Sequence, residues 1–300
     1  MGKASRTKSD FSRRERIAAQ RAAERRREQR QRLLIAGGSI LAVIVIVVVF
    51  VVVKAGSGGT SKGNTSNGPT GATLTTVTNQ VTGVPASTLD TVGAGGSSLS
   101  GGIKSISGTA LTSNGKPEVF FLGAEYCPFC AANRWGLIVA LSRFGTFSGL
   151  KTISSSATDN PPSVPTWTFA NASYTSQYIS FVSVETLGNV ANSSGNYPTL
   201  QTPTAAEQAL VTKYDGSSGP IPFVDFGNKY IQSGDLGMLQ PTNLSGDWET
   251  IAADLSKPTT SNAKAVDSAA NFMTAAICKL TNNQPATACT STVQALESQL

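Results

Sequence analysis

Over the first hundred residues the hydrophobic pattern is blocky rather than periodic. Leu33 to Val53 is a run of 21 residues without a charge, mostly Val, Ile and Leu. At 1.5 Å per residue it spans about 30 Å, the hydrocarbon thickness of a bilayer, and predicts one transmembrane helix. Residues 1–32 before it are basic and rich in helix formers, and residues 54–73 after it form a Gly/Ser/Thr/Asn linker with the reach of a flexible tether. A cleaved leader would have a shorter basic head and small residues at its end, whereas Lys54 follows this run directly, so an uncleaved anchor is expected. Residues 74–110 stay polar with scattered apolar positions such as Val77, Val81, Leu89 and Ile103. They predict a short helix or strands packed on the edge of the next domain.

From Leu111 the pattern becomes periodic. Asn114-Gly115 is the dipeptide of a tight hairpin turn, and an apolar strand follows from Pro117 to Leu122. A helical pattern then runs from about Pro128 to Phe144. One stripe holds Leu137, Leu141 and Phe144 and another holds Trp135, Ile138 and Val139, which predicts a helix covered on more than one side. Leu150 to Ser154 predicts the next strand, Ser155 to Pro165 a loop, and Tyr174 to Thr186 another strand. Thr202-Pro203 followed by Glu207 predicts a helix with Pro at its first position, ending near Tyr214. Pro220-Ile221-Pro222 leads into a strand at Phe223 to Phe226, which turns at Gly227-Asn228 and returns through Ile231. Leu244, Trp248, Ile251 and Leu255 share one helix face, and Val266, Ala270, Met273, Ile277 and Leu280 share a second. This order predicts an α/β domain over residues 111–256, with 74–110 as its N-terminal extension and 257–300 as a C-terminal helical extension.

Charge adds a direction to this layout. Residues 1–32 hold 12 of the 24 Lys and Arg and only 4 of the 18 Asp and Glu, so the +6 of the whole chain belongs to the tail. A basic segment ahead of an apolar span keeps its terminus cytoplasmic, which makes the chain a single-pass protein of the cell membrane with residues 54–300 extracytoplasmic. No nucleic-acid partner is implied for the main domain. The chain has no histidine, which removes Ser-His-Asp and Cys-His nucleophile systems and imidazole acid–base catalysis. Covalent chemistry falls to four cysteines, Cys127, Cys130, Cys278 and Cys289.

Cys127-Pro128-Phe129-Cys130 places two thiols where the strand at Pro117 to Leu122 gives way to the helix. A cysteine at a helix N-terminus meets unpaired backbone N–H groups and the positive end of the helix dipole, both of which favour thiolate. Pro128 suits the first helical turn, and Cys130 is close enough to attack a mixed disulfide formed on Cys127. Cys278 and Cys289 are expected to form a structural disulfide in the C-terminal helices, worth about 3 kcal/mol on the loop-entropy model. A second redox pair relaying electrons is an alternative, and a four-thiolate zinc site built from both pairs is a further one. No cofactor and no metal are expected.

Ala124-Glu125-Tyr126-Cys127 with Cys130, in its setting of strand, helix, strand, helix and proline-led hairpin, resembles the thioredoxin active-site signature over roughly residues 111–256. The resemblance implies a thioredoxin-like fold, a central mixed sheet flanked by helices, here with an insertion near residues 155–200 and extra C-terminal helices. More narrowly, Asn114-Gly-Lys-Pro-Glu-Val, Gly123-Ala-Glu-Tyr-Cys-Pro-Phe-Cys-Ala and Arg134-Trp135 look like an uncharacterised family of membrane-anchored thioredoxin-like proteins from archaea and actinobacteria. That narrower likeness supplies no function. By the wider one, Ile221-Pro222 is the expected site of a cis-proline lining the substrate groove opposite the cysteines. The buried acid that many thioredoxin-like enzymes carry six residues before the first cysteine is Phe121 here. A proton from Cys130 must then use water or another group. Glu125 is the nearest carboxylate in sequence, a candidate for proton transfer expected on the loop surface, where its charge opposes thiolate formation at Cys127.

The expected function is an extracytoplasmic thiol–disulfide oxidoreductase, with Cys127 as nucleophile and Cys130 as resolving thiol. Its expected partners are the thiols and disulfides of exported or membrane proteins and a redox partner at the membrane. The alternative is a non-catalytic interaction or assembly module whose cysteines form a static disulfide.

Overall fold

The computed structural model describes residues 67–96, 102–216 and 219–300. The expected basic tail, the transmembrane helix at Leu33 to Val53 and the linker up to residue 66 lie outside the described residues. Among the described residues no helix is long and apolar enough to cross a membrane.

Two helices come first, α1 (Gly71–Thr82) and α2 (Ala86–Val92). Val77, Val81 and Leu89 are buried in the main core, so the extension is an integral part of the domain rather than decoration. Strand β1 (Ile103–Ser105) follows, then β2 (Thr112–Ser113) and β3 (Lys116–Gly123). Asn114 and Gly115 both have positive φ, 51° and 75°, as a tight turn between β2 and β3 requires. Next are α3 (Pro128–Ser142), four short strands β4 (Gly145–Ser148), β5 (Lys151–Ser154), β6 (Pro165–Thr168) and β7 (Ser173–Ser176), then β8 (Ser180–Glu185) and α4 (Ala205–Asp215). The hairpin β9 (Phe223–Phe226) and β10 (Tyr230–Ser233) precedes α5 (Trp248–Asp254), α6 (Ser261–Leu280) and α7 (Ser291–Leu296).

A mixed sheet runs β1-β10-β9-β3, with β8 parallel to β3 and β2 beside its first residues. All other pairings are antiparallel. Successive residues of β3 point to opposite faces. Val119 and Phe121 enter the large core shared with α3 and α6, whereas Phe120 and Leu122 enter a smaller one with Val184, Val211, Phe223 and Ile231 under α4. This is a central mixed sheet flanked by helices.

Helix α3 is buried from Pro128 to Leu141 except at Phe129, as its two apolar stripes require. On one side α6 approaches closely because position 136 is glycine, where a Cβ would lie 3.0 Å from Leu239 Cδ2 and 3.5 Å from Ala269 Cβ. On another side β6 holds the helix through the Thr166 hydroxyl donating to the Ala131 carbonyl (2.7 Å) and the Trp135 indole donating to Pro165 (2.9 Å).

The strand expected at Leu150 to Ser154 is β5; it pairs with β6, nested inside the β4–β7 pair and outside the central sheet. Alternation reports an extended, half-buried segment and says nothing of its partner. Two expectations need correcting. The stretch Tyr174 to Thr186 is two strands, because the Ser176 hydroxyl accepts the N–H groups of Tyr178 and Ile179 and turns the chain between β7 and β8. Pro203 lies outside α4, whose N-cap is Thr204. Its hydroxyl accepts the Glu207 N–H (3.3 Å) while Glu207 accepts the Thr204 N–H (2.6 Å), a capping box.

Candidate active site

Strand β3 ends at Gly123 and α3 begins at Pro128, so residues 124–127 form the turn that presents the cysteines. The turn is tied to the exit of β8. Thr186 donates its N–H to the Gly123 carbonyl (2.8 Å) and Glu125 donates its own to Leu187 (2.9 Å). Behind it, the Ser156 N–H bonds the Tyr126 carbonyl (2.8 Å), and the Tyr126 ring stacks on Tyr197 with centroids 4.4 Å apart. The loop after β5 and the connection between β8 and α4 thus brace the turn.

Cys127 is the N-cap of α3 and Pro128 its first residue. Cys127 Sγ accepts the Cys130 N–H at 3.3 Å and faces the Ile221 carbonyl at 3.8 Å, so the segment leading into β9 meets the cysteine turn. The Ile221–Pro222 peptide is cis. Cys127 is 6% exposed and Cys130 is sealed, and both are free thiols. The two differ in acidity. Hydrogen bonds from the Cys130 side chain and backbone, together with the nearby Arg134 charge, hold Cys127 below an ordinary thiol despite its burial. Burial pushes Cys130 well up, and the adjacent Cys127 sulfur adds to this while Arg134 opposes it.

Glu125 is wholly buried, not on the loop surface as expected. Its Oε1 accepts the Thr168 hydroxyl at 2.5 Å, and it acts on the Arg134 charge. A carboxylate leaves water only where a cation and hydrogen bonds replace it, and these come from α3 and β6, remote in sequence. Arg134 is also fully buried. Its Nε and Nη2 donate to the two oxygens of Glu185 at the end of β8 (2.8 and 2.6 Å), and Nη2 also donates to the Ala124 carbonyl (2.8 Å). Burial works against the guanidinium, but Glu185, and after it Cys130 and Glu125, raise its pKa, so it is charged at every physiological pH. In the sequence Arg134 stands only within the likeness to the uncharacterised family, and nothing there marks Glu185 or Thr168. The available signal was a lone charge in a helix apolar on two sides.

Cys278 of α6 and Cys289, just before α7, are joined in a disulfide with Cα atoms 5.7 Å apart. Among the described residues no three or more His, Cys, Asp or Glu side chains come together as a metal site.

The family model for a domain of unknown function, DUF929, matches residues 103–279, which takes in the sheet, the cysteine turn, Arg134, Glu185 and most of α6. The chain belongs to this family. No curated protein and no solved structure matches it.

Proposed function

We propose that this protein is a membrane-anchored, extracytoplasmic thiol–disulfide oxidoreductase of thioredoxin-like fold, acting through Cys127 and Cys130 on cysteines of exported or membrane proteins. The observation that carries the reading is the asymmetry of the pair. Cys127 sits at the helix N-cap with its sulfur stabilised by the Cys130 N–H, at the mouth of the turn, while Cys130 lies sealed one helical turn below it. The parallel β3–α3–β8 unit, the antiparallel β9–β10 hairpin and Ile221-Pro222 facing the nucleophile support the fold assignment. The substrate chain would lie beside Ile221 and Pro222, where the Ile221 carbonyl faces Cys127 Sγ.

As a reductase, the Cys127 thiolate attacks one sulfur of a substrate disulfide, forming a mixed disulfide and expelling the other substrate sulfur as a thiolate that takes a proton from water. Cys130, once deprotonated, attacks Cys127 Sγ, closes the Cys127–Cys130 disulfide and releases the second substrate thiol. Two electrons pass from the pair to the substrate, and the reverse sequence oxidises a substrate dithiol. No cofactor enters either direction.

The test is trapping. Cys130→Ser should accumulate mixed disulfides with exported proteins through Cys127, and Cys127→Ser should accumulate none. Absence of any Cys127 adduct, with neither insulin reduction nor RNase refolding by the parent protein, would favour the static-disulfide module instead.

A further inference from the structure

We infer that Arg134 is the positioning charge of this redox pair: a permanent buried cation that stabilises the cysteine thiolates from beneath, in the part of the site where a proton-accepting acid would otherwise act. The inference rests on the redox reading above.

Arg134 follows Cys130 by four residues, so the two share one face of α3 a single turn apart. Helical side chains tilt toward the N-terminus, and the Arg134 contact with the Ala124 carbonyl shows the guanidinium reaching back to the turn that carries Cys127. Its Nε and Nη2 are committed to Glu185 and Ala124, but Nη1 is buried with no hydrogen-bond acceptor. A buried charged donor left unmet is costly, and a thiolate that exists only during turnover is an acceptor of the right charge at this level of the helix.

The surroundings fit a cation better than a base. Phe121 packs with its ring centroid 5.8 Å from the guanidinium carbon, and it can take no proton. Cys130 Sγ packs against Gly123, where an added Cβ would stand 3.2 Å from the sulfur and 2.5 Å from Phe121 Cζ. The charged and titratable groups around Arg134 are Glu185 from β8, Glu125 from the turn and the two cysteines themselves. Arg134 lowers the pKa of both thiols. A cation that interacts with thiolates and has nothing to interact with in the disulfide stabilises the reduced form, so it raises the reduction potential of the pair. The two acids moderate that effect.

The experiment uses the full chain and two substitutions of opposite sign. Glu185→Gln leaves the guanidinium without its counter-charge; Arg134→Gln with Glu185→Gln removes both charges. Equilibration with glutathione gives the potential, and the pH profile of iodoacetamide labelling at Cys127 gives the thiolate. Glu185→Gln should move the equilibrium about tenfold toward dithiol, equivalent to about 30 mV, and shift labelling to lower pH. The double variant should shift both readouts the other way. Where Glu185→Gln does not fold, Glu125→Gln keeps the bidentate pair and should shift both readouts as Glu185→Gln does. A role limited to stability predicts altered melting with the potential and pH profile unmoved, or moved in one direction by all variants, and either result overturns the assignment of Arg134. A parent protein whose Cys127 and Cys130 never equilibrate with glutathione overturns the redox reading as well.

Discussion

Opening the disulfide between Cys278 and Cys289 isolates what the C-terminal extension contributes. The bond closes a loop with a sequence separation of 11, and for such a loop the chain-entropy model gives about 3 kcal/mol at 25 °C. Both cysteines are buried in the large core, alongside Val293 and Leu296 of α7. In a folded unit of this size each kcal/mol moves Tm by about 2–4 °C, so losing the bond should lower Tm by about 6–12 °C. The measurement is thermal unfolding of a Cys127→Ser, Cys130→Ser variant with and without reductant, because the disulfide is then the only one left to open. A drop smaller than about 2 °C would refute the staple. The structural role also requires that Cys278→Ala with Cys289→Ala keeps thiol–disulfide turnover at a temperature where the variant is folded. Lost turnover there would make the pair a relay.

Two further predictions concern buried positions. Gly123→Ala should cost about 1–3 kcal/mol by overpacking, because Phe121 is held edge-on to Phe169 (centroids 5.2 Å) and cannot yield to the new Cβ. It should also slow closure of the Cys127–Cys130 disulfide in a single-turnover assay, and wild-type closure would contradict the placement of Cys130 Sγ against Gly123. Burial raises the pKa of Asp267 in α6 from its ordinary 3.8 to about 8, and neither of its oxygens has a hydrogen-bond partner. Since its folded pKa lies above the unfolded one, the native state binds the extra proton between about pH 4 and 8, and stability falls as pH rises through that window. Asp267→Asn should flatten this slope in urea midpoints taken at the two ends of the window, and an unchanged slope would rule out Asp267 as its source.

Elements with local causes were legible from the residues alone. Asn114-Gly115 dictates its own turn, Cys127-Pro128 its own helix start, and the two stripes of α3 announced a helix covered twice. What escaped was set by partners distant in the chain. Nothing in Leu150 to Ser154 says that it pairs with residues 165–168 rather than with β3. Glu125 looked like a loop-surface carboxylate because its cation, Arg134, belongs to the helix and its hydroxyl partner, Thr168, to the insertion. A lone arginine between Ala131 and Leu141 had to be buried and therefore paired. That the pair is Glu185, the one charge of its strand, followed only from the β3–β8 register. The anchor at Leu33 to Val53 lies outside the described residues and stands as an expectation.

The central claim is that Cys127 and Cys130 form a working redox pair, and the most direct measurement is the state of all four cysteines across a series of glutathione redox buffers, read by mass-tag alkylation. The account predicts one reversible two-electron transition confined to Cys127 and Cys130, with Cys127 the first to be labelled in the reduced form and Cys278–Cys289 closed throughout. A Cys127–Cys130 pair that stays in one state over the whole range, as a static disulfide would, contradicts it.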